Sequence, residues 1–310
     1  MKPFIFCVTV NCAKVTAVML ESFHKHHPDE VMHILGTKMD FEQLHEIMAP
    51  DYFFPSYYHN IENYDWVTKF SQGHAGTAAA FAAVIQQKLG HTYDSFIHID
   101  SDVFFKKESI SVIKKAFDEG FDIVGTRRCF KNNPSGIKGL DNLPDTISTF
   151  FFGMKLDKIP NFSFEDLCRI CEGALHPIEG WIALDFFDGL THATMQNGGT
   201  VKFLNQDEFG SQDIHGKKVN KYKSNMHMDC GSHIIHFGGV GSGYAYATRK
   251  SNPQEGYAKW ALSKWAMFAK LFYNEAVDYN EPTVYGEDGR WINGGYDETI
   301  MKQLLIDMRS

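Results

Sequence analysis

One stretch decides the fold of this 310-residue chain: Ser95-Phe96-Ile97-His98-Ile99-Asp100-Ser101-Asp102. Its first part is a mostly apolar run, which predicts a buried β-strand. The strand ends in Asp100-Ser101-Asp102, and no other Asp-x-Asp triplet occurs in the sequence. Two carboxylates one residue apart suit a hard divalent cation that shares its oxygen ligands between protein and substrate phosphates. The same pair could instead be solvated aspartates in a turn before the helix predicted over residues 108–117.

Length and composition exclude several classes of protein. The chain is 44% hydrophobic, which is enough for one large domain or for a domain with an appendage. Its formal net charge of −8 provides no overall field that would attract nucleic acid. The longest apolar stretches fall far short of the roughly 20 residues that a membrane-spanning helix needs. We therefore expect no nucleic-acid partner and no transmembrane segment.

The cysteines and the first residues indicate a cytoplasmic protein. Six cysteines are scattered along the chain apart from the pair Cys168 and Cys171, and this usage is typical of reduced, buried thiols. The pair lies in a segment with helical periodicity, and no second pair completes a zinc site, which favours core packing. Residues 1–10 are short and rich in β-branched side chains, so they predict a first strand rather than a signal peptide.

Strands and helices alternate along the chain. Residues 4–10 predict a strand, residues 13–26 a helix and residues 31–36 a second strand, which form a βαβ unit with parallel strands. Later helices are predicted at residues 41–48, 77–88, 108–117 and 257–273, later strands at residues 122–125, 150–154, 201–204 and 234–237, and a loop at residues 131–144. The alternation predicts an α/β fold with a mostly parallel sheet. We expect a main domain at residues 1–250 and a C-terminal helical extension at residues 251–310.

Polar or small residues directly follow several predicted strands. Asn11 follows the first strand, the strand at residues 95–100 leads into the aspartate triplet, and Gly125 ends the strand at residues 122–125. In open α/β sheets, ligands bind outside the carboxyl ends of the strands. We therefore expect these strand ends to converge on one edge of the sheet.

The residues ahead of the triplet carry a resemblance to a known family. Ser71-Gln72-Gly73-His74-Ala75-Gly76-Thr77 opens an alanine-rich helix, and the apolar strand with Asp100-Ser101-Asp102-Val103 follows. This succession resembles the nucleotide-sugar half of the A-type (GT-A) glycosyltransferase superfamily, and the likeness extends from Phe4 to about Gly243. The resemblance implies a three-layer α/β/α, Rossmann-like fold. It also implies a metal-dependent hexosyltransferase that uses a nucleotide-diphosphate sugar, such as a UDP- or GDP-sugar, and a glycan or other hydroxyl acceptor.

The resemblance implies roles for single residues. Asp102 would ligate the cation, which is usually Mn²⁺ or Mg²⁺, and Asp100 would hold either that cation or the ribose of the donor. The glycines of the helix start would allow the donor to approach closely. The residues expected at the donor are Asn11, Gly73, His74, Gly76, Asp100 and Ser101.

A second likeness lies late in the chain, at His236-Phe237-Gly238-Gly239. Several families of this fold place a similar segment there, and its histidine completes the metal site. We prefer His236 to His233 because the glycine run follows it directly, and neutral imidazole suits Mn²⁺ better than Mg²⁺. The Lys-Pro-Trp continuation of one such family is absent, although Arg249 and Lys250 could neutralise a diphosphate.

The glycine run at residues 238–243 also raises the question of a dinucleotide site. That fingerprint needs a strand before it and a long helix straight after it within a βαβ unit. Here Tyr244-Ala245-Tyr246-Ala247 leads quickly to Pro253, so the sequence does not provide the required context. We interpret the run as a mobile loop that closes over the donor.

The candidates for acid–base catalysis lie between the two metal segments. An inverting transferase needs a carboxylate that deprotonates the acceptor hydroxyl. Glu179 is the first choice because it precedes Gly180-Trp181, where the indole ring can stack on a sugar, and Asp185 is the second. A retaining enzyme would need no such base, and the stereochemistry stays open. The weaker candidates are Asp207, Glu208 and Asp213.

Two other functions are compatible with the triplet. In HAD-like phosphatases, which use an aspartyl nucleophile, an apolar strand also ends in Asp-x-Asp-x-Val, and Asp100-Ser101-Asp102-Val103 satisfies that pattern. That motif normally ends the first strand, however, whereas a complete βαβ unit precedes it here. The other alternative is a catalytically silent module that binds a sugar nucleotide.

Overall fold

The computed structural model describes most of the chain, namely residues 2–48, 56–63, 81–82, 85, 92–129, 145–172, 187–210, 212–213, 229–248, 256–276, 283–285, 291–293, 306 and 308. The helices in this part are α1 (Ala13–His26), α2 (Lys38–Ile47), α3 (Ile110–Asp118), α4 (Phe164–Glu172), α5 (Asp188–Gln196), α6 (Gln206–Phe209), α7 (Val240–Thr248) and α8 (Gly256–Tyr273). The strands are β1 (Pro3–Thr9), β2 (Met32–Gly36), β3 (Ser56–Asn60), β4 (Ser95–Ile99), β5 (Val103–Phe105), β6 (Ile123–Cys129), β7 (Thr146–Lys155), β8 (Val201–Phe203), β9 (Gln212–Asp213), β10 (Asp229–Cys230), β11 (Ile234–His236), β12 (Thr283–Tyr285) and β13 (Trp291–Asn293).

The central sheet is mostly parallel. Its strands lie in the order β3-β2-β1-β4-β7-β6-β8, and β9 also pairs with β6. The pairs β3–β2, β2–β1, β1–β4, β6–β8 and β6–β9 are parallel, whereas β7 runs antiparallel to both β4 and β6. The carboxyl ends of β1, β4, β6 and β8 therefore lie at one edge of the sheet, which confirms the predicted fold class.

Helices cover both faces of this sheet. On one face, the strands pack against α1, α2 and α3 through side chains such as Phe23, Leu44 and Phe117. On the other face, they pack against α4 and α5 through side chains such as Leu167 and Leu190. The molecule thus has the predicted three α/β/α layers.

Two elements show how the sequence determines local structure. All five residues of β4 are buried, as expected of a central strand that is covered on both faces of the sheet. α2 begins with a capping box, in which the Thr37 hydroxyl accepts a hydrogen bond from the N–H of Asp40 and the Asp40 carboxylate accepts one from the N–H of Thr37. The capping box turns Asp40 inward, where it is fully buried.

A small antiparallel sheet joins the aspartate triplet to the last third of the chain. β5 follows the triplet directly and pairs with β11, and β11 pairs with β10. The pairing places His236 opposite Val103. We did not predict β5 or β10, because strands of two or three residues leave no periodic pattern in the sequence.

Most predicted elements are confirmed. The helix predicted at residues 13–26 agrees with α1 at both ends, and the helix around Cys168 and Cys171 is α4, in which both thiols are buried. The strand predicted at residues 150–154 is longer, since β7 begins at Thr146. The helix predicted at residues 77–88 is described only at residues 81–82 and 85, and the loop at residues 131–144 lies outside the described residues.

The C-terminal helix α8 packs closely on α7. A Cβ atom at Gly243 would lie 1.9 Å from the carbonyl oxygen of Ala261, so only glycine fits at this crossing. The end of α8 is also tied to α1, because the Tyr273 hydroxyl donates to the carbonyl of Lys14 at 2.6 Å. The predicted domain boundary near residue 250 lies outside the described residues and stays a prediction. None of the described helices is both long and apolar enough to cross a membrane.

Candidate metal centre

Three predicted metal ligands meet at the carboxyl end of β4. One ligand atom from each of Asp100, Asp102 and His236 lies within 4.8 Å of the other two. Nε2 of His236 is 3.3 Å from Oδ1 of Asp102 and 3.8 Å from Oδ2 of Asp100. The three residues that the sequence singled out as ligands therefore share one place in the fold.

Strand pairing explains how ligands so distant in sequence come together. His236 lies 134 positions after Asp102 (236 − 102). β5 begins directly after Asp102 and is paired with β11, which ends at His236. The N–H of Phe237 then donates to the carbonyl oxygen of Asp102 at 3.0 Å and closes the end of the ladder. Backbone hydrogen bonds thus hold the two ligands side by side.

Asp102 is the buried carboxylate of the cluster, with 8% of its surface exposed. Burial alone would raise the pKa of Asp102, but the adjacent His236 and the positive charge of Lys264 outweigh it and hold the pKa below its ordinary value. Asp102 is therefore ionised at neutral pH although it is almost removed from water. A buried carboxylate of this kind needs a cationic partner.

Phe150 orients the other two ligands. The N–H of Asp100 donates to the carbonyl oxygen of Phe150 at 2.8 Å. The ring of Phe150 stacks on the imidazole of His236, with centroids 4.3 Å apart and an interplanar angle of 12°. Phe150, Phe151 and Phe152 are fully buried, so they are core residues rather than the lining of a sugar pocket.

His98 is a fourth polar side chain at the cluster, and the sequence analysis did not select it. Its Nδ1 donates to the carbonyl oxygen of Thr149 at 2.9 Å, and its Nε2 lies 3.6 Å from Oδ1 of Asp100. Burial lowers the pKa of His98 to about 3, so the ring is neutral and Nε2 carries a lone pair. Two acceptor atoms that face each other favour a cation between them. The sequence could have indicated this contact, because His98 precedes Asp100 by two residues and therefore lies on the same face of the strand.

The end of β1 contacts the triplet from one side. The thiol of Cys12 donates to the hydroxyl of Ser101 at 3.6 Å, which places the neighbouring Asn11 beside the predicted donor site. Asn11 is half-buried and has a φ of 54°, a left-handed conformation that asparagine tolerates better than most residues. Burial raises the pKa of Asp40, and hydrogen bonds from Thr37 and from the backbone of Asn11 and Cys12 oppose the increase. Asp40 thereby stabilises the loop at Asn11 and Cys12 through these hydrogen bonds.

The first turn of α7 also contacts the triplet. α7 begins four residues after His236 (240 − 236), and Gly238 and Gly239 between them have φ values of 42° and 80°. A Cβ atom at Gly241 would lie 3.4 Å from the Ser101 hydroxyl, so the start of the helix lies against the triplet. The interpretation of residues 238–243 as a mobile loop is therefore wrong from Val240 onward, where the chain is helical.

Several predicted site residues cannot be placed. Residues outside the described part of the chain are Gly73, His74, Gly76, Glu179, Asp185, Arg249 and Lys250. The weaker candidates Asp207 and Glu208 are described, and their carbonyl groups accept hydrogen bonds from the N–H groups of Ser232 and His233. The backbone of α6 thus supports the turn that leads into β11.

The side chains of the cluster fit a divalent cation. Two carboxylates and a neutral imidazole are suitable ligands for Mn²⁺, and the carboxylates also suit Mg²⁺. Asp102 and His236 are almost buried, whereas the side chain of Asp100 is 34% exposed, so the cluster is open toward solvent on the side of Asp100. A cation held here keeps coordination positions for oxygen atoms of a ligand.

Comparisons with known proteins give similarities of fold alone. No protein-family model matches the chain, and no curated protein matches its sequence. Solved glycosyltransferases resemble this chain. The galactosyltransferase LgtC, solved with donor and acceptor sugar analogs, has a TM-score of 0.47 and 14% identity over 66% of this chain and 74% of its own.

Two further solved structures are similar to a comparable extent. Mouse xyloside xylosyltransferase 1, in its apo form, has a TM-score of 0.44 and 13% identity over 67% of this chain and 86% of its own. Core-mannan synthase A from Aspergillus fumigatus, in its Mn/GDP form, has a TM-score of 0.41 and 8% identity over 66% of this chain and 73% of its own. Similarities this distant do not determine an activity, which has to be inferred from the residues around Asp100.

Proposed function

We propose that this chain is a metal-dependent glycosyltransferase of the hexosyltransferase type. It moves a sugar from a nucleotide-diphosphate donor, a UDP- or GDP-sugar, to a hydroxyl group of a glycan or another acceptor. The observation that carries the proposal is the meeting of Asp100, Asp102 and His236 beside the first turn of α7, at the carboxyl edge of the sheet. Ligands of open α/β sheets bind at this edge.

A diphosphate is the ligand that suits this combination of features. A hard cation held by two carboxylates typically completes its coordination with phosphate oxygens. The first N–H groups of a helix have no partner within the helix, and they carry the positive end of its dipole. The first turn of α7 lies against Ser101, between the two aspartates. A cation and a helix N-terminus together can therefore bind the two phosphates of one diphosphate.

Different residues are proposed to perform different steps of the reaction. Asp100, Asp102 and His236 would hold Mn²⁺ or Mg²⁺, which acts as a Lewis acid on the leaving diphosphate when bound. Phe150 keeps the imidazole of His236 oriented by stacking. For an inverting reaction, Glu179 or Asp185 would remove the proton from the acceptor hydroxyl.

The donor contacts and the cellular location complete the proposal. Asn11, which lies next to the Cys12–Ser101 contact, is proposed to bind the base or the ribose. Gly73, His74 and Gly76 stay predictions as donor contacts. Cys7, Cys12, Cys168 and Cys171 are buried and form no disulfide bond, which supports a cytoplasmic location.

Thermal unfolding with a panel of nucleotides tests the proposal. The protein is heated with UDP, GDP or ADP, each with and without Mn²⁺, and the midpoint of unfolding is recorded. A ligand at about 100 times its Kd should stabilise the fold by about 2.7 kcal/mol. We expect this stabilisation from UDP or GDP only with Mn²⁺ present. If no nucleotide stabilises the protein with metal, the proposal is wrong.

Two further measurements separate the alternatives. A silent binding module would bind the donor without ever hydrolysing it, so release of free sugar from a UDP- or GDP-sugar in Mn²⁺ excludes that function. A phosphatase with an aspartyl nucleophile would bind beryllofluoride at Asp100. Among the described residues, no further acidic side chain joins the cluster, whereas such phosphatases use an additional acidic pair.

A further inference from the structure

A lysine from α8 is buried next to the metal cluster. Lys264 is 1% exposed, and its Nζ donates to the carbonyl oxygen of Phe237 at 2.8 Å. Phe237 directly follows His236, and its N–H donates to the carbonyl oxygen of Asp102. The Lys264 side chain is therefore bonded to the peptide segment that links two of the three predicted ligands. A fully buried lysine is rare, so a specific role is indicated.

Close packing of α8 on α7 fixes the position of Lys264. Gly243 lies against the backbone of Ala261, which is one helical turn before Lys264. The next residue, Trp265, packs its ring against Tyr244 at a centroid distance of 4.7 Å. The lysine is thus held between neighbours that leave little freedom.

The ammonium group of Lys264 lies close to the candidate ligands. It is bonded to the carbonyl of Phe237, whose N–H is bonded to the carbonyl of Asp102. A fixed positive charge at this position opposes the entry of a divalent cation that arrives alone. The same charge attracts a cation that is bound together with a diphosphate, since that pair brings net negative charge.

We propose that Lys264 makes the binding of metal and of diphosphate interdependent. It weakens the affinity of the cluster for a bare divalent cation and strengthens its affinity for a nucleoside diphosphate once metal is present. The lysine acts through the field at the ligands without touching the substrate, so it is a positioning residue. This proposal rests on the proposed function. It means that a residue of the C-terminal helix α8 sets the electrostatic potential at the metal site.

The test measures two affinities in neutral variants of Lys264. K264M keeps the length of the side chain, and K264Q keeps an N–H donor for the carbonyl of Phe237. Mn²⁺ binding alone is measured by electron paramagnetic resonance of the free ion. Binding of UDP and GDP at saturating Mn²⁺ is measured by calorimetry. We expect both variants to bind Mn²⁺ alone several-fold more tightly and the nucleoside diphosphate on the order of tenfold more weakly.

Opposite changes in the two affinities distinguish an electrostatic role of Lys264 from a structural one. A merely structural role of Lys264 would weaken both affinities together, and this result would overturn the proposal, as would two unchanged affinities. K264R retains the positive charge, so its affinities for Mn²⁺ alone and for the nucleoside diphosphate should both stay close to those of the wild type. K270M is the matched control, because Lys270 is an exposed lysine of the same helix that donates to Asn274. It should leave both affinities unchanged.

The wild-type protein separates this proposal from the proposed function. If the wild type binds neither UDP nor GDP in the presence of Mn²⁺, the glycosyltransferase function itself is wrong. If the wild type binds them and the neutral variants of Lys264 do not show opposite changes, only the role of Lys264 is wrong.

Discussion

Asp102 combines the properties that make the candidate site chemically distinctive. It is ionised and nearly buried, it contacts His236, and its backbone is bonded to Phe237. Asp100 differs from it, because its side chain is more exposed and also faces His98. The two carboxylates of one triplet thus have different environments. The buried one is suited to hold a cation permanently in place, and the exposed one to share it with a ligand.

Replacing Asp102 should abolish metal binding with little effect on the fold. In D102N, the affinity for Mn²⁺ should fall by at least about 100-fold, since loss of a direct ligand exceeds the effect of an outer-shell change. Stabilisation by UDP or GDP in Mn²⁺ should disappear in thermal unfolding. D118N is the control, because Asp118 is an exposed carboxylate at the end of α3. Equal Mn²⁺ affinity in D102N and wild type would remove Asp102 from the site.

Replacing His236 should change the preference between metals. Imidazole suits Mn²⁺ better than Mg²⁺, so H236N should lose at least about 100-fold in Mn²⁺ affinity and less in Mg²⁺ affinity. Calorimetric titration with each ion measures the ratio. The matched control is H233N, since His233 lies three positions earlier and stacks on Phe209 instead. A larger effect in H233N would reverse the choice between the two histidines.

The proposed base can be tested although it lies outside the described residues. If Glu179 deprotonates the acceptor, E179Q should bind UDP or GDP as the wild type does and transfer sugar about 10²- to 10⁴-fold more slowly. Steady-state kinetics and calorimetry separate the two effects. D185N provides the comparison within the same segment. Full transfer by both variants would contradict an inverting mechanism that uses either carboxylate.

At the scale of single residues, the ligands could be predicted and their supports could not. Asp100, Asp102 and His236 stand next to strand ends or glycines, which are local signals. Lys264 lies in the apolar stripe of a helix, and only the crossing of α8 with α7 shows that its ammonium group reaches Phe237. Such contacts depend on tertiary packing, which periodicity does not reveal.

At the scale of elements, the site depends on short segments that hold long ones together. β5 and β11 have three residues each, yet they join the triplet to His236. α7 was interpreted as a loop, because a glycine-rich sequence has low helix propensity. The structure shows why it is helical: Gly243 permits α8 to approach closely, and packing against α8 stabilises the helix. Tertiary contact outweighs local preference here.

Two glycines of α7 should respond oppositely to the same substitution. G243A places a Cβ 1.9 Å from the carbonyl oxygen of Ala261, so the free energy of unfolding should fall by about 2 kcal/mol or more. In G241A, the nearest atom would be 3.4 Å away, and the gain in helix propensity should leave the protein unchanged or up to about 1 kcal/mol more stable. Urea unfolding measures both variants. Equal effects would contradict the described helix crossing.

At the scale of the whole molecule, buried histidines connect the layers and make stability depend on pH. His27 follows α1, and its Nδ1 donates to the carbonyl of Phe23 at 2.9 Å while its Nε2 accepts from the N–H of Ser109, at the start of α3. Both ring nitrogens are used by the neutral form. Burial lowers the pKa of His27 to about 4. Protonation would turn Nε2 into a donor that faces another donor.

Stability should therefore fall between pH 6.5 and pH 4. In this range the unfolded chain binds a proton at residue 27 and the folded chain does not, so the free energy of unfolding rises with pH. The stabilising contribution of His27 reaches its full value above about pH 6.5. The contribution of His27 is at most about 3 kcal/mol. Urea unfolding at several pH values should show a smaller slope in H27Q. H45Q, which changes an exposed histidine of α2, should keep the wild-type slope.

The overall fold was the most predictable part of the molecule. The βαβ unit at the start and the apolar run of β4 determine a covered parallel sheet, because these segments follow one period over many residues. The antiparallel direction of β7 was not predictable, since a buried strand has the same apolar pattern in either direction. The parallel strands determine the edge of the sheet at which the candidate site lies, and the pairing of β5 with β11 adds His236 to it.

The distance in sequence between Asp102 and His236 has a consequence for the order of events during synthesis. A growing chain exposes both aspartates long before the histidine has been made, and at that stage they are two like charges without their third partner. Only when β11 pairs with β5 do all three candidate ligands lie side by side. Under the proposed function, a chain interrupted before residue 236 would therefore lack the complete metal site that the nucleotide donor requires.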